Sequence, residues 1–373
     1  MVRTLFITHD PTQKGPYGHK SDSHSPLSVP CGHSGRDRPA GQSEPSLSLT
    51  TTPTGQDTAV RARIPDLSSI PDLGPVPQRI TADAAQVRRL IGDQFPEWAG
   101  LPVRPVAKGG WDNFTFRLGD AMVVRLPSAA EYALAVDKEQ HWLPRLAPSL
   151  PLPIPIPVAK GSPGADYPFP WSIHPWLQGE PATADRIADP VRFALDLAGF
   201  LAALQGIDAA DGPQPGKHNW FRGATLRTYD ATARRALTAL DGHIDVDAAR
   251  EIWTTASDTP WDGKDRWFHG DVAQGNLLLD GGELAAVIDF GTCGVGDPSC
   301  DMAIAWTLLT ADGRQAFRER LSVDDATWAR GRGWALWKAL VACAQTRGRS
   351  DEESVNARRV LYGIFSEYAS DHR

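Results

Sequence analysis

The chain carries the stretch FHGDVAQGNLLL (268–279), followed a few residues later by AVIDFG (286–291). These segments supply a carboxylate at Asp271, an amide at Asn276 and a second carboxylate at Asp289. The apolar runs after Asn276 and before Asp289 are separated by Asp-Gly-Gly-Glu, which is typical of a hairpin turn. Two paired strands would hold Asn276 and Asp289 near each other at one end of the hairpin. The spacing therefore predicts a shared polar site.

The three residue types suit phosphoryl transfer from a metal-bound nucleotide. This reaction needs positioning and charge neutralisation more than covalent help. Asp271 is the candidate catalytic base, because a carboxylate can orient an acceptor hydroxyl and take its proton as the new bond forms. Magnesium prefers oxygen ligands, which Asn276 and Asp289 can supply. Each fragment alone also occurs in unrelated chains, and only their order, spacing and apolar flanks together favour this function.

The motifs resemble those of protein kinases, whose catalytic loop reads H-R-D-x-x-x-x-N and whose metal-binding turn reads D-F-G. In this chain Gly270 takes the place of the Arg. The series H-G-D-x-x-x-x-N, I-D-F-G and G-D-P-x-x-D (296–301) is similar to the aminoglycoside phosphotransferase family, kinase-like enzymes that phosphorylate hydroxyls on small molecules, many of them antibiotics. By that resemblance Asp271 is the catalytic base, while Asn276 and Asp289 hold Mg²⁺.

The resemblance covers roughly Val76 to the C-terminus and implies an α+β, protein-kinase-like fold with two lobes. The nucleotide-binding N-lobe is expected over residues 76–177, with an antiparallel sheet and a helix. The catalytic and acceptor-binding C-lobe is expected over residues 178–373 and is mainly helical. ATP is the expected cofactor between the lobes, with GTP as an alternative, together with Mg²⁺.

A glycine-containing turn between two strand patterns is the candidate nucleotide loop. Its Gly109 and Gly110 would allow backbone N–H groups to approach phosphate oxygens closely. A plain hairpin explains the same pattern. The segment resembles the nucleotide loop of the family, and Asn113 is the candidate for a polar contact there.

The next strand and helix supply a candidate charged pair. Kinases carry a phosphate-binding Lys on the strand and a Glu on the helix that follows. Here the corresponding residues are Arg125 and Glu139. The guanidinium fork of Arg differs from the point charge of Lys, so the nucleotide geometry is open at this position. Further along, the segment around Trp176 resembles the hinge that meets adenine, although Trp176 also fits an ordinary core aromatic.

Several helix boundaries can be read from the sequence. Asp297 followed by Pro298 fits an N-cap and first helical position, and Asp301 could either suit the helix dipole or brace the loop that contains Asp271. Helices are predicted from Thr81, from Asp189 to Gly206, and over residues 226–240, 248–256, 301–309, 324–345 and 351–369. The tryptophans at 328, 334 and 337 are expected to pack these helices together.

Composition excludes several classes of protein. A net charge of −7 over 373 residues disfavours bulk attraction to nucleic acid. The four cysteines form no C-x-x-C pair, and no apolar run reaches a membrane span, which together fit a reducing cytoplasm. No P-loop motif is present. Residues 1–75 are rich in Ser, Pro and Gly and are predicted to form a disordered extension, and its presence in the native protein is open.

The expected activity is ATP-dependent O-phosphorylation of a small molecule, an aminoglycoside or another antibiotic, which would confer antibiotic resistance. The acceptor is open: a macrolide, another natural product or a metabolite such as an amino alcohol fits equally. Acidic residues that could line an acceptor cleft are Asp185, Asp196, Asp208 and Asp211. A non-catalytic nucleotide-binding protein is the alternative that Arg125 suggests. A protein kinase is disfavoured by Gly270 and the lack of an A-P-E segment. Monomer and dimer remain equally compatible with the sequence.

Overall fold

The computed structural model describes residues 69–70, 74–107, 109–261 and 263–371. The described residues belong to one compact unit. The N-terminal extension expected over residues 1–75 lies outside the described part, apart from a short strand pair of β1 (Ser69–Ile70) and β2 (Gly74–Pro75).

An antiparallel sheet of five strands forms the small lobe. Its strands are β3 (Val103–Pro105), β4 (Asn113–Leu118), β5 (Met122–Pro127), β6 (Ala159–Gly161) and β7 (Trp171–Pro175). The spatial order is β3-β4-β5-β7-β6, with every neighbouring pair antiparallel. Arg125 therefore lies on the central strand, paired with Thr115 on one side and Ser172 on the other.

Two helices accompany this sheet, α1 (Ala84–Gln94) and α2 (Ala130–Leu146). The carboxylate of Asp83 caps α1 by accepting from the backbone N–H of Gln86 at 2.7 Å, so the helix begins later than the prediction from Thr81. An Asp carboxylate is a strong N-cap because it satisfies a backbone donor that the first turn leaves free. The buried side of α1 joins the sheet core, in which Trp171 is fully buried.

The large lobe is mainly helical, as expected. Its helices are α3 (Pro190–Gln205), α4 (Asp230–Ala239), α5 (Val246–Asp258), α6 (Ile304–Thr307), α7 (Ala311–Leu321), α8 (Asp325–Gln345) and α9 (Glu352–Asp371). Helix α8 is buried along nearly its whole length. Trp334 and Trp337 of α8 pack against Tyr229 with ring centroids 4.8 and 4.6 Å apart, which confirms the packing role expected for these tryptophans.

The helix predictions succeed where the caps are strong. Helix α3 begins after Asp189, whose carboxylate accepts from two backbone N–H groups, and ends at Gly206 as predicted. The helix predicted over 301–309 is instead a 3₁₀ helix (Pro298–Ala303) that continues into α6. Within the described part of the chain, no helix combines the length and apolar character that a membrane crossing requires.

The large lobe also contains short strands, which form two small antiparallel sheets. They are β8 (Glu180–Pro181), β9 (Arg266–Phe268), β10 (Leu277–Asp280), β11 (Glu283–Val287) and β12 (Gly294–Gly296). Strands β10 and β11 form the predicted hairpin. Gly281 and Gly282 at its turn both have positive φ, of 57° and 88°, a conformation that glycine adopts without steric cost. The two-lobed α+β fold is confirmed.

Candidate active site

The H-G-D loop (269–276) leaves β9 and is held in place by a buried carboxylate. Asp301 accepts hydrogen bonds from the backbone N–H groups of His269, at 2.8 Å, and Gly270, at 2.7 Å. The ring of His269 also contacts the carbonyl oxygen of Ile288 at 3.0 Å. Asp301 therefore braces the loop, which is the second of the two roles considered from the sequence.

Gly270, the departure from the protein-kinase motif, is required by the local geometry. Its φ is +86°, and a Cβ at this position would lie 2.5 Å from the carbonyl oxygen of Thr292. A side chain would meet both a strained backbone and a steric clash. The loop thus reaches its conformation only with glycine here.

Asp271 is 9% exposed and is surrounded by donors. The ammonium of Lys338 lies 3.1 Å from its Oδ1, and the amide of Asn276 donates to its backbone carbonyl at 2.9 Å. The guanidinium of Arg222 donates to the carbonyl of Gly270 at 3.1 Å. Burial alone would raise the pKa of Asp271, but the charges of Lys338 and Arg222 outweigh it and hold that pKa below its usual range.

The hairpin brings Asn276 and Asp289 together as predicted. Leu277 pairs with Val287, and the backbone N–H of Ile288 donates to the carbonyl of Asn276 at 2.8 Å. Because the Asn276 amide nitrogen is used by Asp271, its Oδ1 is the atom suited to a cation. Asp289 has a left-handed backbone, with φ of 66°, a strained conformation that is typical of functional turns.

Arg125 joins the small lobe to the D-F-G turn (289–291). Its guanidinium lies 3.3 Å from Glu139 Oε1 and 2.5 Å from Asp289 Oδ1. The pair expected between Arg125 and Glu139 is therefore present, and the contact with Asp289 is additional. Burial would lower the pKa of Arg125, but the two carboxylates raise it above its ordinary value. Two nitrogens of the guanidinium contact the two carboxylates separately, whereas the ammonium group of a lysine is a single point charge.

Lys138, next to Glu139 on α2, is a second buried cation at this turn. Its ammonium donates to the carbonyl oxygens of Gly291, at 2.8 Å, and Cys293, at 2.9 Å. Burial lowers its pKa. Backbone carbonyls thus satisfy this charge, and they tie α2 to the chain that follows Asp289.

A cavity adjoins the D-F-G turn between the loop before β4 and the side of α2. Its lining includes Asp112, Asn113, Tyr132, Glu139, Trp220 and Asp289. Burial, followed by the carboxylate of Asp289, raises the pKa of Asp112 to about 7. The candidate residue Asn113 therefore lies beside Asp289 and Glu139, whereas Gly109 and Gly110 are exposed in the loop that precedes it.

Trp176 follows the end of β7. The guanidinium of Arg117 stacks on its ring, 4.0 Å from the centroid, and its backbone N–H donates to the carbonyl of Ala121 at 2.8 Å. These contacts connect Trp176 to the sheet at the start of β5. They are separate from the contacts that join Asp271, Asn276, Asp289 and Arg125.

Three buried cations of the site, Lys138, Arg222 and Lys338, did not emerge from the motifs. Each comes from an element distant in sequence from the H-G-D loop, so motif spacing does not reveal it. A signal for Lys338 is nevertheless present, because it is the lone charge in the apolar run WALWKALVACA (334–344). Lysine is almost never fully buried without a partner. A charge in such a run therefore indicates a buried acidic partner.

The chain resembles known phosphotransferases in sequence and in fold. The sequence model described as APH, phosphotransferase enzyme family, matches residues 103–334. Among solved structures, the GDP complex of aminoglycoside 2'-phosphotransferase-IIIa is 17% identical, with a TM-score of 0.58, over 77% of this chain and 100% of that one. A macrolide 2'-phosphotransferase type I is 19% identical, with a TM-score of 0.51, over 76% of this chain and 98% of that one.

A third solved structure, the streptomycin–ATP ternary complex of APH(2")-IIa, is 16% identical, with a TM-score of 0.50, over 77% of this chain and 99% of that one. No curated protein sequence matches the chain. At these identities the solved structures establish the shared fold, whereas the sequence model spans more than half of the chain. The chain therefore belongs to the APH phosphotransferase enzyme family.

Proposed function

We propose that this phosphotransferase moves the terminal phosphoryl group of ATP, with GTP as an alternative donor, to a hydroxyl of a small molecule. The observation that carries the proposal is the meeting of Asp271, Asn276 and Asp289 on one loop and one hairpin. Arg125 reaches the same point from the small lobe, 2.5 Å from Asp289. A site of this composition favours charge neutralisation at phosphate, which is the main requirement of the reaction.

Asp271 is proposed to orient the acceptor hydroxyl and accept its proton. Because its pKa is held low, it is a weak base at neutral pH and contributes mainly by fixing the oxygen in line with the phosphorus. The proton then moves to the carboxylate as the bond to phosphorus forms. Such late transfer suits a loose transition state, in which the attacking oxygen needs little prior activation.

The residues present fit a magnesium ion. Asn276 Oδ1 and the Asp289 carboxylate are hard oxygen donors, and Mg²⁺ commonly combines one or two protein ligands with waters and phosphate oxygens. When bound, the ion would supply charge neutralisation at the phosphates. In the described part of the chain, no cluster of three or more His, Cys, Asp or Glu residues suits a metal. Mg²⁺ usually completes its coordination with waters and substrate phosphates, so two protein ligands are enough for the proposed site.

Aminoglycosides and macrolides are the first acceptor classes to test, because solved relatives of the same fold carry those names. A hydroxylated metabolite such as an amino alcohol is the alternative. The acids considered from the sequence do not distinguish these classes: Asp185, Asp208 and Asp211 are exposed, and Asp196 pairs with Arg192 at 2.9 Å.

The test is incubation of the purified protein with ATP or GTP, Mg²⁺ and a panel of hydroxylated antibiotics and metabolites. Mass spectrometry detects phosphate gain, with Asp271→Asn protein as the matched control. We expect at least one acceptor to gain phosphate when it is incubated with the parent protein and to gain none with Asp271→Asn. Nucleotide binding without any phosphorylated acceptor across the panel would favour the non-catalytic alternative.

Arg125→Met is expected to weaken Mg-nucleotide binding by roughly 10- to 100-fold, the equivalent of the 1.5–3 kcal/mol of one charged hydrogen bond. Arg125→Lys should fall between the variant and the parent, because it keeps the charge but loses the fork that spans Glu139 and Asp289. Isothermal titration calorimetry measures both. Arg104→Met, at an exposed position of β3, is the control, and equal affinities in all four proteins would contradict this role.

A further inference from the structure

Lys338 is the deepest charged contact of Asp271. It lies on α8, is 2% exposed, and its ammonium is 3.1 Å from Asp271 Oδ1. Taking an ammonium out of water costs several kcal/mol unless a well-placed partner compensates. Asp271 is that partner, although the two residues are far apart in sequence and lie on different elements. The fold therefore retains a costly charge at the carboxylate that is proposed to act as the base.

The other basic residues of α8 serve different contacts. Arg330 pairs with Asp297 at 2.8 Å, and Arg332 pairs with Glu367 at 3.2 Å. Both of these pairs join helix α8 to neighbouring segments of the large lobe. Of the basic residues on α8, only Lys338 contacts the H-G-D loop. Arg330 and Arg332 can therefore serve as comparisons for Lys338, because their ion pairs do not involve the H-G-D loop.

The surroundings of the Lys338–Asp271 pair are charged on several sides. Arg222 and His269 act on Asp271 from the segment before α4 and from its own loop. Asp301 and Cys300, from the 3₁₀ helix before α6, are electrostatically coupled to Lys338. Besides burial, the carboxylates of Asp289 and Asp271 raise the pKa of Asp112, which lies in the small lobe. Removing Lys338 leaves Arg222 as the remaining buried cation that contacts this loop.

We propose that Lys338 is a positioning residue for phosphoryl transfer, which fixes Asp271 through Oδ1 and leaves Oδ2 for the acceptor hydroxyl. The inference rests on the proposed function of Asp271 as the base. The remaining oxygen has a weak interaction with the Asn276 amide at 3.4 Å, which marks the same edge of the carboxylate. A carboxylate anchored on one oxygen retains a single orientation, and orientation is the contribution expected of a weak base.

The loss of this contact should affect kcat, because Asp271 is proposed to act on the acceptor hydroxyl and not on the nucleotide. A misplacement of a reacting group by about 1 Å can lower a rate on the order of 10²-fold.

The experiment compares Lys338→Met, Lys338→Arg and Arg332→Met with the parent, each as the full chain with Mg-ATP and an acceptor found in the screen. Lys338→Met should lower kcat on the order of 10²-fold, with little change in KM for nucleotide. Lys338→Arg should restore part of kcat, because it keeps a charged donor to the Asp271 carboxylate. Arg332→Met, which removes a buried cation of the same helix, should lower stability but leave the kcat of the folded protein unchanged.

The same substitution in the Asp271→Asn background separates positioning of Asp271 from a general effect on folding. There, Lys338→Met should lower kcat little further, because Lys338 acts through Asp271. A kcat of Lys338→Met equal to that of the parent, or an equal additional loss in the Asp271→Asn background, would overturn the inference. Failure of the proposed function has a different signature, in which Asp271→Asn phosphorylates the acceptor as fast as the parent.

Discussion

Asp271→Asn is expected to lower kcat by about 10²- to 10⁴-fold, the usual contribution of a positioned general base. Asparagine keeps the size of the side chain, but its amide cannot take the proton of the acceptor hydroxyl. Nucleotide affinity should stay close to that of the parent, because Asn276, Asp289 and Arg125 are intact. Single-turnover kinetics and calorimetry separate the two effects. Equal turnover in variant and parent would remove Asp271 from the mechanism.

This substitution also changes stability, which has to be separated from activity. Lys338 is 2% exposed and would lose its counter-ion in Asp271→Asn. Leaving one partner of a buried pair uncompensated typically costs about 3–5 kcal/mol. The double variant Asp271→Asn/Lys338→Met should recover much of this loss in thermal unfolding but none of the activity. Recovery of activity in the double variant would mean that the single change acted through folding alone.

Asp289→Asn is expected to lower transfer on the order of 10³-fold or more, because metal stabilisation of developing charge contributes several kcal/mol. Nucleotide affinity should lose its dependence on Mg²⁺, since asparagine is neutral and a weaker ligand for a hard cation. Affinity measured without Mg²⁺ should be kept or improved, because Arg125 no longer shares its guanidinium with an anionic Asp289.

Titration of nucleotide binding against Mg²⁺ tests this prediction. Asp280→Asn is the matched control, because Asp280 is an exposed acid on the same hairpin. Its Mg²⁺ dependence should match that of the parent. If the Asp289→Asn titration also superimposes on that of the parent, Asp289 is not a metal ligand and the donor set proposed with Asn276 is wrong.

The parts of the fold that local chemistry determines could be predicted from the sequence. Asp189 with Pro190 sets the start of α3, and the Gly-Gly turn sets the β10–β11 hairpin, because caps and turns are satisfied within a few residues. The position of Asn276 next to Asp289 follows from that hairpin. The pairing of Arg125 with Glu139 followed from the family resemblance.

What could not be predicted depends on contacts between distant segments. Helix α7 has a weak apolar pattern, with only Gly313 and Phe317 buried, and packing on α3 replaces the missing signal. The bridge from Arg125 to Asp289 joins residues 164 positions apart, and the Lys338–Asp271 pair joins residues 67 positions apart. Sequence spacing carries no information about such pairs, although a lone lysine in an apolar helix indicates that one exists.

The contacts of Lys138 limit how far the small lobe can rearrange. Protein kinases are commonly switched by the position of the helix that carries the conserved Glu. In this chain that helix is α2, and its Lys138, next to Glu139, donates hydrogen bonds to the carbonyls of Gly291 and Cys293. An outward swing of α2 would break both charge-assisted hydrogen bonds, at a cost of roughly 1.5–3 kcal/mol each. These contacts therefore oppose the helix displacement that switches protein kinases off.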